Sequence, residues 1–145
     1  MDSMKTQVQA ESQSTNQGNG RTPKRILVVD DEKDVELLFR LRFRREIRNG
    51  TLIFDFALSG QEAFDFLKTR GTENITLLLS DINMPGMSGL ELLRLLKDKY
   101  PDLPVFMITA YGDDENYRRA QEYGCDGYMT KPLDFDELRT GVFEM

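Results

Sequence analysis

The 145-residue chain contains no histidine. That removes Ser-His and Cys-His nucleophiles, His-ligated metals and any role as a histidine phosphodonor. Cysteine is almost as scarce. Cys125 stands alone, so there is no internal disulfide and no thiolate cluster for zinc. No apolar run approaches the roughly 20 residues that cross a bilayer, and nothing resembles a signal peptide. A Gly-Lys-Ser or Gly-Lys-Thr is missing too, which excludes a P-loop. Positive charge is in deficit, with 19 Lys and Arg against 25 Asp and Glu and a formal net charge of -6. A surface of that sign argues against direct nucleic-acid binding by the molecule as a whole. These absences describe a soluble protein of a reducing compartment, expected in the cytoplasm, with no membrane contact.

What is present is one domain's worth of chain, long enough for a real core. Residues 1–24 are rich in Gln, Ser, Thr, Asn and Gly and are expected to form a disordered polar tail. Residues 25–145 carry the domain. Ile26-Leu27-Val28-Val29 is a short apolar run that ends in Asp30-Asp31-Glu32. Such a run reads as a strand buried on both faces of a parallel sheet. A helix follows, with Val35, Phe39, Phe43 and Ile47 as its core stripe, Leu38 widening it, and Asn49-Gly50 as its stop. Arg40, Arg42, Arg44, Arg45 and Arg48 cover its other faces, read as a solvated face or, more sharply, a docking surface for an acidic partner.

Thr51 to Ala57 reads as an edge strand because Asp55 interrupts it. Ser59 starts the next helix, which buries Ala63, Phe64 and Leu67. Leu77 to Leu79 forms the central strand, closed by Asp81, and the chain turns through Asn83-Met84-Pro85-Gly86. Ser88 with Glu91 is a capping-box pattern ahead of Leu90, Leu92, Leu93, Leu95 and Leu96. Val105 to Ile108 is the fourth strand and ends at Thr109. Asp113 and Asp114 open a polar helix that Gly124 closes. Gly127 to Thr130 is the fifth strand, ending at Lys131-Pro132. Asp134 or Asp136 caps a short last helix, which reads as cut from a longer protein. Five strands alternating with five helices is the rhythm of an α/β fold, a parallel sheet with helices on both faces.

The polar residues fall in one kind of place. Asp30 and Asp31, Asp81, Thr109 and Lys131 each sit at the carboxyl end of a different strand, the edge where open α/β sheets bind ligands. Three crowded carboxylates repel one another and call for a hard divalent cation. Mg²⁺ suits a site of carboxylates, a carbonyl, waters and a phosphate oxygen, at about 2.0–2.1 Å; Mn²⁺ is a substitute. Lys131 supplies a point charge and Thr109 a hydroxyl donor. Together they can stabilise charge on a phosphoryl group passed to a carboxylate nucleophile.

With these motifs, Ile-Leu-Val-Val-Asp-Asp-Glu at 26–32, Ser-Asp-Ile-Asn-Met-Pro-Gly-Met-Ser-Gly at 80–89, Ile-Thr-Ala at 108–110 and Lys-Pro at 131–132, residues 25–145 resemble the receiver domain of two-component response regulators. The resemblance implies a flavodoxin-like, doubly wound five-stranded sheet of order 2-1-3-4-5. It implies that Asp81 is the phosphoacceptor and that Asp30, Asp31, Asp81 and the Asn83 backbone carbonyl hold Mg²⁺. Lys131 would contact the acyl phosphate, Thr109 would swing to the phosphoryl group, and Tyr128 would follow inward. Asn83 and Tyr111 occupy positions that tune the phosphate's lifetime. A histidine kinase or phosphotransfer protein would be the donor. The face of the fourth helix, fifth strand and fifth helix would meet a downstream protein. Such a chain is a switch and not a turnover enzyme.

Three other readings compete. A flavodoxin-like FMN binder needs a Ser/Thr/Gly-rich phosphate loop after the first strand, where this chain has Asp-Asp-Glu. An aspartate-based Mg²⁺ phosphatase needs its Asp-x-Asp after a strand, whereas Asp134-x-Asp136 begins a helix. A phosphorylation-independent interaction module would have no use for the acidic pair, Thr109 and Lys131.

Overall fold

A computed structural model describes residues 22–145; residues 1–21, most of the expected polar tail, lie outside that range. Strands β1 (Lys24–Val29), β2 (Leu52–Ala57), β3 (Leu77–Asp81), β4 (Val105–Thr109) and β5 (Gly127–Thr130) form one sheet. All pairings are parallel and the order is β2-β1-β3-β4-β5, as the resemblance implies. The first strand begins earlier than its apolar run. Lys24, assigned to the tail by composition, donates its backbone N–H to Thr51 O at 3.0 Å and so belongs to β1.

Successive residues of the inner strands feed two separate cores, as a sheet covered on both faces requires. Leu27, Val29 and Leu78 point to a core closed by helices α3 (Gly60–Arg70), α4 (Gly89–Lys99) and α5 (Asp114–Glu122). Ile26, Val28, Leu77 and Leu79 point to the other, closed by α1 (Asp34–Arg42), α2 (Arg44–Arg48) and α6 (Phe135–Phe143). Full burial of such a side chain contributes about 1.5–3 kcal/mol, so β1 and β3 anchor the domain. β2 is an edge strand, and its Asp55 is held by Arg25 at 2.7 Å.

There are six helices among the described residues, not five, because the first one breaks at Phe43. Phe43 leaves helical geometry (φ -113, ψ 22) and its ring is buried against Phe39, Phe54 and Phe135. The break frees the Arg42 carbonyl, which accepts from Arg139 Nη2 at 2.8 Å. The Arg139 guanidinium also lies 4.8 Å over the Phe43 ring and pairs with Glu46 at 3.0 Å. One other sequence assignment needs correction. Leu38 is 41% exposed and does not widen the core stripe; Leu95, within the leucine run of α4, is exposed as well. Each sits one helical step off the buried line, so the residues inside are Phe39 on α1 and Leu90, Leu92, Leu93 and Leu96 on α4.

The caps behave as their residue types demand. Ser59 Oγ accepts from Glu62 N, and Ser88 with Glu91 completes a reciprocal capping box. Asp134, not Asp136, caps α6, accepting from the N–H groups of Asp136 and Glu137.

Candidate functional site

The register of the sheet brings the polar residues to one rim. Val29 pairs with Ser80, Asp81 with Ile108, and Thr109 with Thr130. Ladder bonds run one residue further, from Asp30 N to Ala57 O (3.1 Å) and from Lys131 N to Thr109 O (2.9 Å). Asp30, Asp81, Thr109 and Lys131 therefore open on the same edge. Asp30, Asp81 and Thr109 are buried. One carboxylate oxygen from each of Asp30, Asp31 and Asp81 lies within 4.8 Å of the others, a group that could hold a metal ion.

Lys131 Nζ donates to Asp81 Oδ2 at 3.2 Å. The other Asp81 oxygen, Oδ1, is buried and has no hydrogen-bond partner, and Thr109 Oγ1 is likewise buried without a hydrogen bond of good geometry, only the Tyr128 hydroxyl coming within its reach. Buried polar atoms are nearly always satisfied, so two orphans in one pocket mark a place made for a group that supplies partners. A hard cation and phosphoryl oxygens fit those orphans and the carboxylate donor set.

The electrostatics agree. Burial raises the Asp30 carboxyl above its ordinary value, with the neighbouring charges of Asp81 and Asp31 adding; the Glu32 N–H and Lys131 work against this. The Glu32 N–H reaches Asp30 Oδ1 at 2.9 Å. Burial also opposes the Lys131 ammonium, yet Asp81, by charge and by hydrogen bond, holds Lys131 above its usual range.

The remaining sequence candidates sit around this pocket. Asn83 lies in the exposed β3–α4 loop, two residues past Asp81. Tyr111 is 86% exposed, outside the carboxylate cluster. Tyr128 is half-buried in β5, with its ring edge-on to Tyr117 at 4.5 Å. Two residues, one that positions the site and one that packs on Tyr128 beside it, were given no such part by sequence reasoning. A Cβ at Gly89 would come within 2.1 Å of the Asp81 carbonyl, so only glycine lets α4 start this close to β3. Its N–H donates to Ile82 O at 2.7 Å. The signal was the Ser-Gly that opens α4, legible as a cap but not as a close approach. Tyr117 carried no signal at all, because its contact with Tyr128 spans the α5–β5 connection.

Fold and pocket together place an acidic group that could hold a metal ion on the carboxyl edge of a doubly wound sheet, the edge where such sheets bind ligands. The family model described as the response regulator receiver domain matches residues 26–143, and the chain belongs to that family. It is 38% identical over 112 residues to the DNA-binding transcriptional regulator NtrC of Proteus hauseri, covering 77% of this chain and 22% of that protein. It is 33% identical over 118 residues to sporulation initiation phosphotransferase F of Bacillus subtilis, covering 81% of this chain and 90% of that one. A solved structure of the response regulator protein TrrA from Thermotoga maritima, in complex with Mg(2+)-BeF, superposes with a TM-score of 0.69 at 33% identity, covering 83% of this chain and 97% of the other. Receiver domains are switches of two-component signalling that bind Mg²⁺ at an acidic pocket. They interact with histidine kinases or phosphotransfer proteins and with downstream targets.

Proposed function

We propose that Asp81 accepts a phosphoryl group from a partner histidine kinase or phosphotransfer protein, and that the change alters this domain's protein contacts. The observation that carries the reading is the pair of buried, unpartnered oxygens, Asp81 Oδ1 and Thr109 Oγ1, beside three convergent carboxylates. Asp30, Asp31, Asp81 and the Asn83 carbonyl would hold Mg²⁺, which when bound offsets the negative charge of the transferring group. Asp81 Oδ1 forms its bond to phosphorus as the donor's phosphorus–nitrogen bond breaks, the electron pair leaving on the imidazole. Lys131, already bonded to Asp81 Oδ2, holds the nucleophile in place and neutralises the product. Thr109 then donates its hydroxyl to a phosphoryl oxygen, and Tyr128 follows. Asn83 and Tyr111 set how readily water reaches the acyl phosphate.

The surface that answers is α5, β5 and α6. Phosphorylation biases it only as far as the modified site binds one arrangement better than the other. The protein acts as a switch in the cytoplasm, with autodephosphorylation as its only turnover. Acetyl phosphate with Mg²⁺, followed by intact mass, tests the reading. A single phosphoryl adduct is expected, lost in Asp81→Asn and without metal. An unmodified chain that still binds Mg²⁺ would point to a phosphorylation-independent module, and sustained phosphate release to a phosphatase.

A further inference from the structure

Beside the pocket lies a second concavity, a cleft of about 510 Å³ walled by Tyr111, Tyr117 and Tyr128 with Asp113, Asp114 and Thr130. It sits where the β4–α5 loop meets β5, on the surface proposed above to respond to phosphorylation. Three tyrosines around an open cleft need an explanation, because Tyr111 is 86% and Tyr117 47% exposed.

The chain's habit with its other aromatic rings supplies one. Of its five tyrosines, the two outside the cleft lie against cations of this chain. Lys99 is 5.8 Å from the centre of Tyr100, and Tyr123 lies between Arg94 at 5.8 Å and Arg119 at 5.9 Å. Phe43, Phe56, Phe64, Phe66 and Phe135 also carry a Lys or Arg. Among the described residues no cation lies over Tyr111, Tyr117 or Tyr128. The cleft has the aromatic rings, with Tyr117 and Tyr128 set edge to face on one another and Tyr111 open, and lacks the cation.

The charge around it has the matching sign. Asp113 is committed to the cap of α5, accepting from Asn116 N at 3.2 Å and Asn116 Nδ2 at 2.7 Å. Asp114 has no ion pair among the described residues, while Glu115 is paired with Arg118 at 2.7 Å. The amino end of α5 opposes a cation with roughly half a positive charge. Asp113 and Asp114 bring two full negative charges, which win.

We propose that this cleft receives an arginine side chain from a segment of the partner protein. A guanidinium can lie flat on tyrosine while its N–H fork reaches Asp114, a combination an ammonium cannot make. The inference deepens the proposed response surface and rests on that reading for its link to phosphorylation; the cleft and its charge stand without it.

The test titrates isotope-labelled full chain with the blocked tripeptide acetyl-Ala-Arg-Ala-amide, and with its Glu and Leu counterparts, following backbone amide shifts. Arginine-specific shifts concentrated at residues 111–117 and 128–130 are expected. They should weaken roughly threefold or more in Asp114→Asn, the size of one exposed cation–aromatic or ionic contact, and shrink with added salt. Tyr117→Leu should weaken them similarly, and the same spectra report whether each variant is folded. Equal response to the Leu peptide, shifts spread over the whole acidic surface, or no loss in Asp114→Asn would each overturn the proposal. Concentration-dependent shifts at these residues without peptide, with a doubled mass in solution, would assign the cleft to a second copy instead. Acetyl phosphate labelling of the same samples separates the two readings. Labelled Asp81 with no arginine binding defeats this inference alone, and arginine binding on a chain that never takes the phosphoryl group defeats the proposed function alone.

Discussion

Replacing Asp30 by asparagine should make the metal-free protein more stable. Asp30 Oδ1 accepts from the Glu32 N–H at 2.9 Å, and an asparagine oxygen keeps that bond. What the change removes is a charge within 4.8 Å of two other carboxylates. Two unit charges at that spacing repel by about 0.9 kcal/mol in water and about 3.5 kcal/mol at an effective dielectric constant of about 20. Asp30 is buried, which favours the upper part of that range, but its attraction to Lys131 subtracts from it. A net gain of about 1–2 kcal/mol is therefore expected in urea unfolding with chelator present. Mg²⁺ should reverse the order, since a metal at one hundred times its dissociation constant stabilises the native protein by about 2.7 kcal/mol. Asp30→Asn should lose most of that benefit. A variant less stable than the parent in chelator, or equally stabilised by Mg²⁺, would refute the idea that the carboxylates strain the empty pocket and hold the ion.

Gly89→Ala should cost about 2–4 kcal/mol in the same assay and lower the yield of phosphorylated Asp81, because a methyl would meet the Asp81 backbone and weaken the 2.7 Å bond to Ile82. Arg139→Met should cost about 1–3 kcal/mol by stripping Glu46 and the Arg42 carbonyl of their donor, and adding Glu46→Gln should recover part of the loss. Burial raises the Cys125 thiol, with Asp126 adding to it, so the folded chain keeps that proton after the unfolded chain has lost it. The contribution of Cys125 to stability should thus fall as pH rises past 9.0, and its alkylation at mildly alkaline pH should be slower than that of urea-unfolded protein.

The sheet was legible because strands buried on both faces leave a dense local mark. Ile26 to Val29, Leu77 to Leu79 and Val105 to Ile108 are uninterrupted apolar runs, and each ends in a polar residue with no role in a core. Reading those ends as one rim needed only the rule that parallel strands share a direction. What escaped is set by contacts between distant residues. Lys24 joins β1 through Thr51, and Phe43 breaks its helix where Arg139 can cap the freed carbonyl, 97 positions away from Arg42. Leu38 and Leu95 satisfy an apolar count but fall just off the buried line, a matter of phase that composition does not carry. The pairing of Tyr117 with Tyr128 is tertiary in the same sense. Local pattern placed the carboxylates, while long-range packing decided which aromatic rings stand beside them.

The unpartnered oxygens also bound how far one hydrogen bond can drive the proposed switch. Leaving a buried hydroxyl unsatisfied costs about 1–3 kcal/mol. If phosphoryl oxygens satisfy Thr109 Oγ1 in only one of two arrangements, that energy shifts their ratio by about 5- to 150-fold. Carrying a population from 1:99 to 99:1 needs about 10⁴-fold. Thr109 alone falls short of a full reversal, so the rest has to come from contacts that also differ between the arrangements. Lys131 is the nearest source, since it can divide its hydrogen bond between Asp81 and the added group. Tyr128 is the other, because the inward movement proposed for it would require its edge contact with Tyr117 to be remade. With the drive divided among several contacts, removing any one of them should grade the response and not abolish it.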